Sequence, residues 1–183
     1  GDAYKHYSSP IQVGSLTNWT FTTGGGYSGV LAVNSSGELY AWGSNSYGNL
    51  GNGNRLNVSS PIQIGSLTTW STGASGNGIA MFLKTDGTAW VWGDNGYGQL
   101  GIGAGTSSDR SSPVQLGSET DWTVASCGYQ NMAGIRGGKL YSWGRNSNGG
   151  VGDGTVVQRN SPVQIGALTT WLDVQRVIRW LSR

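Results

Sequence analysis

The side chains that most often carry catalysis are sparse in this sequence of 183 residues. His6 is the single histidine and Cys127 the single cysteine, so we expect neither a Ser-His-Asp triad nor a zinc site within one chain. A lone cysteine cannot form a disulfide within the chain. Cys127 stands between small residues, which is typical of a buried structural thiol rather than a nucleophile.

The acidic residues are scattered rather than grouped. Asp94, Asp109 and Asp153 lie in glycine-rich stretches and could touch calcium, but no spaced set of oxygen ligands accompanies them. The glycine-rich stretches lack the Gly-Lys-Ser/Thr ending of a phosphate-binding loop. We therefore predict no catalytic residue, no metal site, no cofactor and no enzymatic activity.

Charge and hydropathy exclude two further classes of partner. The chain holds 11 basic and 9 acidic residues, and three of the arginines (Arg176, Arg179 and Arg183) lie in the last nine positions. The rest of the chain has no basic cluster, so we expect no nucleic-acid partner. No apolar stretch is long enough to span a membrane, and no signal segment is visible, which leaves the localisation open.

Three arginines recur in the stretches that vary most between the repeats described below. They are Arg55, Arg110 and Arg159, in residues 54–58, 104–110 and 155–160. Because these stretches follow equivalent glycine-rich segments, we expect them on one face, where the arginines form a binding rim for an anionic or polar partner. The alternative interpretation is that each arginine is an ordinary solvated loop charge.

An internal repeat of about 50 residues determines the architecture. Trp-Gly occurs at Trp42-Gly43, Trp92-Gly93 and Trp143-Gly144, at spacings of 50 and 51, and each pair opens a glycine-rich loop. A Ser-Pro-Ile/Val-Gln segment recurs at Pro10, Pro61, Pro113 and Pro162 with the same period. Repeats of this length are typical of propellers and solenoids.

Each repeat reads as four short strands. Apolar runs end in a tight glycine turn and are followed by a second, aromatic strand, which predicts a hairpin. With the Ser-Pro segment and the stretch after each downstream Trp, four antiparallel strands form one blade of an all-β propeller, and about three blades are present. Asn45, Asn95 and Asn146 follow the Trp-Gly pairs, and we interpret them as side chains that brace the loop backbone.

The combined pattern Trp-Gly-x-Asn-x-x-Gly-x-Leu-Gly-x-Gly and Ser-Pro-x-Gln-x-Gly resembles the repeat of the regulator of chromosome condensation family over residues 1 to about 174. The resemblance implies a β-propeller, typically of seven blades. Members of that family include a nucleotide-exchange factor for the Ran GTPase, chromatin-binding proteins and a plant ultraviolet sensor. The shared residues are structural, so none of these activities is carried over. The repeats are low in charge and rich in Ser, Thr and Asn, and in this composition they are similar to those of bacteriophage and environmental bacterial members.

The ends of the chain depart from the repeat. We expect repeats at about 9–59, 60–111 and 112–160, a partial one at 161–174, and an atypical tail at 175–183. The tail is either the product of a frame slip after Val174 or an amphipathic cap. The first residues match the end of a glycine-rich loop, so we predict a fragment of a larger propeller, with self-association possible through exposed blade edges.

The function that fits these features is a non-catalytic binding or structural module on a rigid scaffold, with a phage or cell-surface setting. Its partner would be a protein or a glycan. Tyr47 and Tyr97 either stack on sugar rings or pack against the neighbouring blade. The alternative, by family resemblance alone, is a nucleotide-exchange regulator of a small GTPase.

Overall fold

Three four-stranded antiparallel sheets make up the fold, as predicted. The computed structural model describes residues 11–24, 29–103 and 108–172, and in these ranges it contains twelve strands and no helix. Blade 1 comprises β1 (Trp19–Gly24), β2 (Val30–Asn34), β3 (Leu39–Gly43) and β4 (Val58–Gln63); blade 2 comprises β5 (Trp70–Ser75), β6 (Ile79–Lys84), β7 (Ala89–Gly93) and β8 (Arg110–Gln115); blade 3 comprises β9 (Trp122–Cys127), β10 (Asn131–Arg136), β11 (Lys139–Gly144) and β12 (Arg159–Gln164). His6 and residues 173–183 lie outside the described residues. Within the described ranges, no helix long and apolar enough to cross a bilayer was found.

The Ser-Pro segment is the last strand of a blade. In blade 1 it forms β4, which pairs only with β3, and its Pro61 lies where the register shifts opposite Trp42. Proline has no backbone N–H to donate, so an edge strand with a bulge is where a sheet tolerates it. A repeat counted from Ser-Pro is thus offset by one strand from the sheet it belongs to.

Most of the hydrophobic core lies between the blades, and a smaller cluster of Ala133, Ile135 and Leu140 lies on blade 3 alone. Every residue of β6 is buried, and its side chains alternate between two clusters. Ala80 and Phe82 pack toward blade 1, whereas Ile79, Met81 and Leu83 pack toward blade 3. The two-residue period of a strand sends alternate side chains to opposite faces, so a middle blade is apolar on both.

A buried indole hydrogen bond joins each blade to the one before it. Trp92 Nε1 donates to the Asn49 carbonyl of blade 1 at 2.8 Å, and Trp143 Nε1 donates to the Gln99 carbonyl of blade 2 at 2.9 Å. Both rings are fully buried, whereas Trp42 of the first blade is partly exposed. Trp92 and Trp143 therefore each belong to two blades at once.

The hairpin glycines make the second contact between blades. Gly87 has a φ of +77°, and its carbonyl accepts the backbone N–H of Trp122 in the next blade at 3.1 Å. A Cβ at Gly87 would overlap the carbonyl oxygen of Thr120. The glycine is thus required both by its left-handed backbone and by the close approach of blade 3.

We expect Gly87→Ala to lower the free energy of unfolding by at least about 2 kcal/mol more than Gly65→Ala does. Gly65 has a similar φ of +65°, but nothing lies within 4 Å of a Cβ built there, so its alanine variant carries only the cost of the left-handed backbone. Chemical denaturation of the two variants measures the difference. Equal losses would mean that blade 3 does not depend on this contact.

Candidate functional site

One buried asparagine in each glycine-rich loop holds the backbone of that loop through hydrogen bonds. Asn45 Nδ2 donates to the Asn52 side chain and to the carbonyls of Asn54 and Leu56, at 3.0 to 3.1 Å, while its Oδ1 accepts the N–H of Leu50 at 2.9 Å. A single amide side chain therefore satisfies backbone groups across twelve residues of loop.

Blade 3 repeats this arrangement with different outer residues. Asn146 Nδ2 donates to the carbonyls of Thr155 and Val157, and its Oδ1 accepts the N–H of Val151. Asn95 is equally buried, and its Oδ1 accepts the N–H of Leu100 at 3.1 Å. In all three blades the asparagine Oδ1 thus accepts a backbone N–H of its own loop.

The apolar side chains above these asparagines face solvent. We call residues 54–57 and 155–158 the crest loops. Leu56 is 73% exposed, Val156 67% and Val157 57%, although the backbone carbonyls of Leu56 and Val157 are held by Asn45 and Asn146. The crest loops thus combine a fixed backbone with apolar groups that the core does not use.

The three arginines of the predicted rim occupy two kinds of position. Arg110 and Arg159 are equivalent, since each begins the last strand of its blade opposite the glycine of Trp-Gly. At that position blade 1 has Val58, and Arg55 lies three residues earlier in a crest loop. Whether the three act together as a binding rim stays a prediction.

Carboxylates contact two of these arginines. Arg55, whose side chain is 56% exposed, pairs with Asp109 of the next blade at 3.1 Å. Arg159 pairs with Asp153 inside its own loop, and hydrogen bonds from Thr155 and this guanidinium hold the pKa of the Asp153 carboxyl well below its usual range. The ion pair of Arg55 and Asp109 therefore joins the loops of blades 1 and 2.

The loop tyrosines lie against neighbouring blades while remaining partly exposed. Tyr47 is beside Gly78 of blade 2, where a Cβ would contact its ring. Tyr97 faces the guanidinium of Arg145 in blade 3, which lies 4.9 Å from the ring centroid. These contacts fit the packing interpretation better than a free stacking platform for sugars.

The acidic loop residues do not assemble a metal site. In the part of the chain that the structure describes, no group of three or more potential ligands comes together. Burial and then the neighbouring Asp109 charge raise the pKa of Asp94. Asp94 Oδ1 instead accepts the N–H of Gly96, a contact within the loop.

Two equivalent clefts between blades were missed by reasoning from sequence. The first cleft, of about 570 Å³, separates blades 1 and 2 and is lined by Leu67, Lys84 and Trp90. The second cleft, of about 590 Å³, separates blades 2 and 3 and is lined by Glu119 and Arg136. The signal in the sequence was a basic residue fourteen positions after Trp70 and again after Trp122.

We expect the thiol of Cys127 to be inert. Its Sγ contacts the Ala74 carbonyl of blade 2 at 3.4 Å, and burial raises the pKa of the thiol to about 12. The nucleophilic thiolate is then scarce, and at pH 8 iodoacetamide should react at least roughly a thousandfold more slowly with the native protein than with the unfolded one. Mass spectrometry of the time course measures this ratio, and comparable rates would contradict an inert thiol.

Comparison with known proteins agrees with this geometry. The family model of the regulator of chromosome condensation (RCC1) repeat matches residues 36–83, 86–135 and 137–178, which is more than half of the chain. The chain is 34% identical over 122 residues to the human E3 ubiquitin-protein ligase HERC2 and 34% identical over 127 residues to the ultraviolet-B receptor UVR8 of Arabidopsis thaliana. Those alignments cover 64% and 68% of this chain but only 2% and 29% of the relatives.

Solved structures share the fold. The crystal structure of Prp20p from Saccharomyces cerevisiae, a protein described with its binding to Gsp1p and histones, aligns with a TM-score of 0.75 at 19% identity. That of human WBSCR16 aligns with a TM-score of 0.78 at 24% identity. They cover 83% and 91% of this chain, which spans 39% and 45% of theirs. The three sheets are therefore blades of a partial β-propeller, and the chain belongs to the family of proteins built from the RCC1 repeat.

Proposed function

We propose that this chain is part of a non-catalytic module that binds a partner protein with its crest loops. The observation that carries the proposal is the exposure of Leu56, Val156 and Val157 on a backbone that buried asparagines hold in place. Apolar side chains that a fixed backbone keeps in solvent would bury their surface on a partner protein.

A braced loop is well suited to recognition. Ordering a flexible loop on binding costs free energy, and a loop fixed beforehand avoids that cost. Asn45 holds two backbone carbonyls of its crest loop, and the ion pair of Arg55 with Asp109 links that loop to blade 2. The binding surface would therefore extend over more than one blade.

The proposal includes no catalytic role because of the chemistry of the side chains that the structure describes. The described residues bring together no three potential metal ligands, and the thiol of Cys127 is held protonated by burial. The ligase activity in the name of HERC2 belongs to a protein of which this chain matches a small part. Propellers with this fold include Prp20p, whose described partners are proteins, and this favours a protein over a glycan here.

Three finer hypotheses remain predictions. The nucleotide-exchange role rests on family resemblance. The phage or cell-surface setting rests on the composition of the repeats. Self-association rests on the exposed edges of the blades. Each is compatible with a protein-binding surface at the crest loops.

We expect the double variant Leu56→Ser, Val157→Ser to lose partner proteins that the wild type retains. In quantitative affinity capture from extracts of the source organism, retention should fall about tenfold or more, because residues at the centre of an interface carry most of its free energy. The control is Leu168→Ser, which removes an equally exposed leucine, 62% accessible, outside the crest loops.

A third variant tests the arginine rim separately. If Arg55, Arg110 and Arg159 contribute, changing all three to serine lowers retention of the same partners. Unchanged capture by both the crest and the arginine variants, with the folded state verified by circular dichroism, would contradict binding at this face.

A further inference from the structure

The first cleft contains the ammonium group of Lys84, a largely buried residue, with no carboxylate on it. Lys84 is 9% exposed, and its Nζ lies 3.6 Å from the ring centroid of Trp90 and 5.0 Å from that of Trp70. The aromatic faces stabilise the charge in part. Among the described residues, no acid lies within ion-pair distance of Nζ and no hydrogen bond to it was found.

The acid whose charge acts on Lys84 is engaged elsewhere. Asp86 acts on Lys84 through its charge, but its Oδ1 accepts hydrogen bonds from the backbone N–H and the hydroxyl of Thr88, at 2.9 and 2.7 Å. Burial lowers the pKa of Lys84, as expected for an ammonium removed from water without a close counter-charge. An ammonium has three donors, so the side chain has bonding capacity that this chain does not use.

The second cleft shows the same site with its carboxylate present. Arg136 takes the place of Lys84, with its guanidinium 4.6 Å from the ring centroid of Tyr141 and 5.5 Å from that of Trp122. Glu119 forms an ion pair with this guanidinium. Counting back from the Trp that begins the next inner strand, Glu119 corresponds to Leu67 in the first cleft.

The two clefts therefore differ in the source of the negative charge. In the second cleft two protein carboxylates, those of Glu119 and Asp121, pair with the cation on its aromatic platform. In the first cleft Leu67, 47% exposed, stands at the position of that acid, and the space of about 570 Å³ beside Lys84 is open. The side chains of Ile62 and Leu67 give this space an apolar wall, and Asn52 and Asn54 lie along it.

We propose that the first cleft binds an acidic side chain of a partner protein, whose carboxylate takes the place over Lys84 that Glu119 takes over Arg136. An apolar residue next to the acid would contact Ile62 and Leu67. This inference rests on the proposed function, because it takes the ligand to be a protein segment. The first cleft would then be the pocket that selects the acidic residue of the partner. Of the residues that line it, Asn54 belongs to a crest loop.

Titration of the protein with the peptide acetyl-Leu-Glu-amide tests the proposal. The reporters in NMR spectra are the indole N–H of Trp90, which donates to Thr88 Oγ1, and the side-chain methylenes of Lys84. We expect these signals to shift and the glutamate peptide to bind roughly tenfold more tightly than acetyl-Leu-Gln-amide, because a charge-assisted hydrogen bond is lost with the amide.

Two variants test the charges in the first cleft. One places a carboxylate of the protein over Lys84, and the other removes the cation. Leu67→Glu should place an acid over Lys84, as in the second cleft, and abolish binding of the glutamate peptide. Leu67→Gln is the matched control: it has the shape of glutamate without the charge, so it loses the apolar contact of Leu67 but should still bind the glutamate peptide more tightly than the glutamine peptide. Lys84→Met keeps the length of the side chain and should also abolish the preference for glutamate.

Three results would overturn the proposal: equal affinity for the two peptides, absence of shifts at Trp90 and Lys84, or unchanged peptide binding by Leu67→Glu. Titration with hexanoate separates the sources of a carboxylate. Binding of hexanoate without binding of the peptide would replace a protein ligand by a small organic acid. The crest variant Leu56→Ser, Val157→Ser should still bind the glutamate peptide, so failure of the crest proposal and failure of the cleft proposal are distinguishable.

Discussion

The hydrogen bond from the Trp92 indole to the Asn49 carbonyl is the contact on which the other features of the fold depend. It requires the tryptophan to reach across the interface, and it requires Gly51 to lie under the ring, since a Cβ there would come within 2.9 Å of Nε1. The adjacent Leu50 is buried in the same cluster, and its N–H is bound by Asn45. One indole thus ties the core of a blade to the loop of the preceding blade.

This dependence separates the constant parts of the repeat from the variable ones. Buried residues of the glycine-rich loops are fixed by their contacts with the next blade. The exposed side chains of Leu56 and Val157 in the crest loops have no such constraint. The clefts follow the same logic, because the cation on its aromatic platform is common to both and the acid is not. Recognition is therefore expected where the repeat is free to vary, on a backbone that the shared contacts hold rigid.

The fold could be predicted from the sequence because its determinants are local and periodic. The Trp-Gly spacing and the glycine turns predicted four strands per blade, and the structure has four. The offset of the Ser-Pro strand was less visible, since its pairing with the preceding hairpin is a matter of tertiary structure.

The candidate sites were harder to predict for a physical reason. Arg55 and Arg110 both follow a glycine-rich segment in the sequence. In the strand register, however, the residue of blade 1 that corresponds to Arg110 is Val58. The platform of Lys84 on Trp90 forms across two paired strands and a gap between blades, so spacing alone could not reveal it. Loop contacts between blades depend on geometry that a one-dimensional repeat does not contain.

The most direct test of this account is amide hydrogen exchange of the Trp92→Phe variant. Phenylalanine keeps an aromatic ring in the core but has no N–H, so the Asn49 carbonyl loses its buried donor, at a cost of roughly 1–3 kcal/mol. The account predicts faster exchange at Leu50 and Gly53 in the loop of blade 1, while the amides of blade 3 change no more than global stability requires. Unchanged protection of the blade 1 loop would contradict the claim that the indole bond holds it in place.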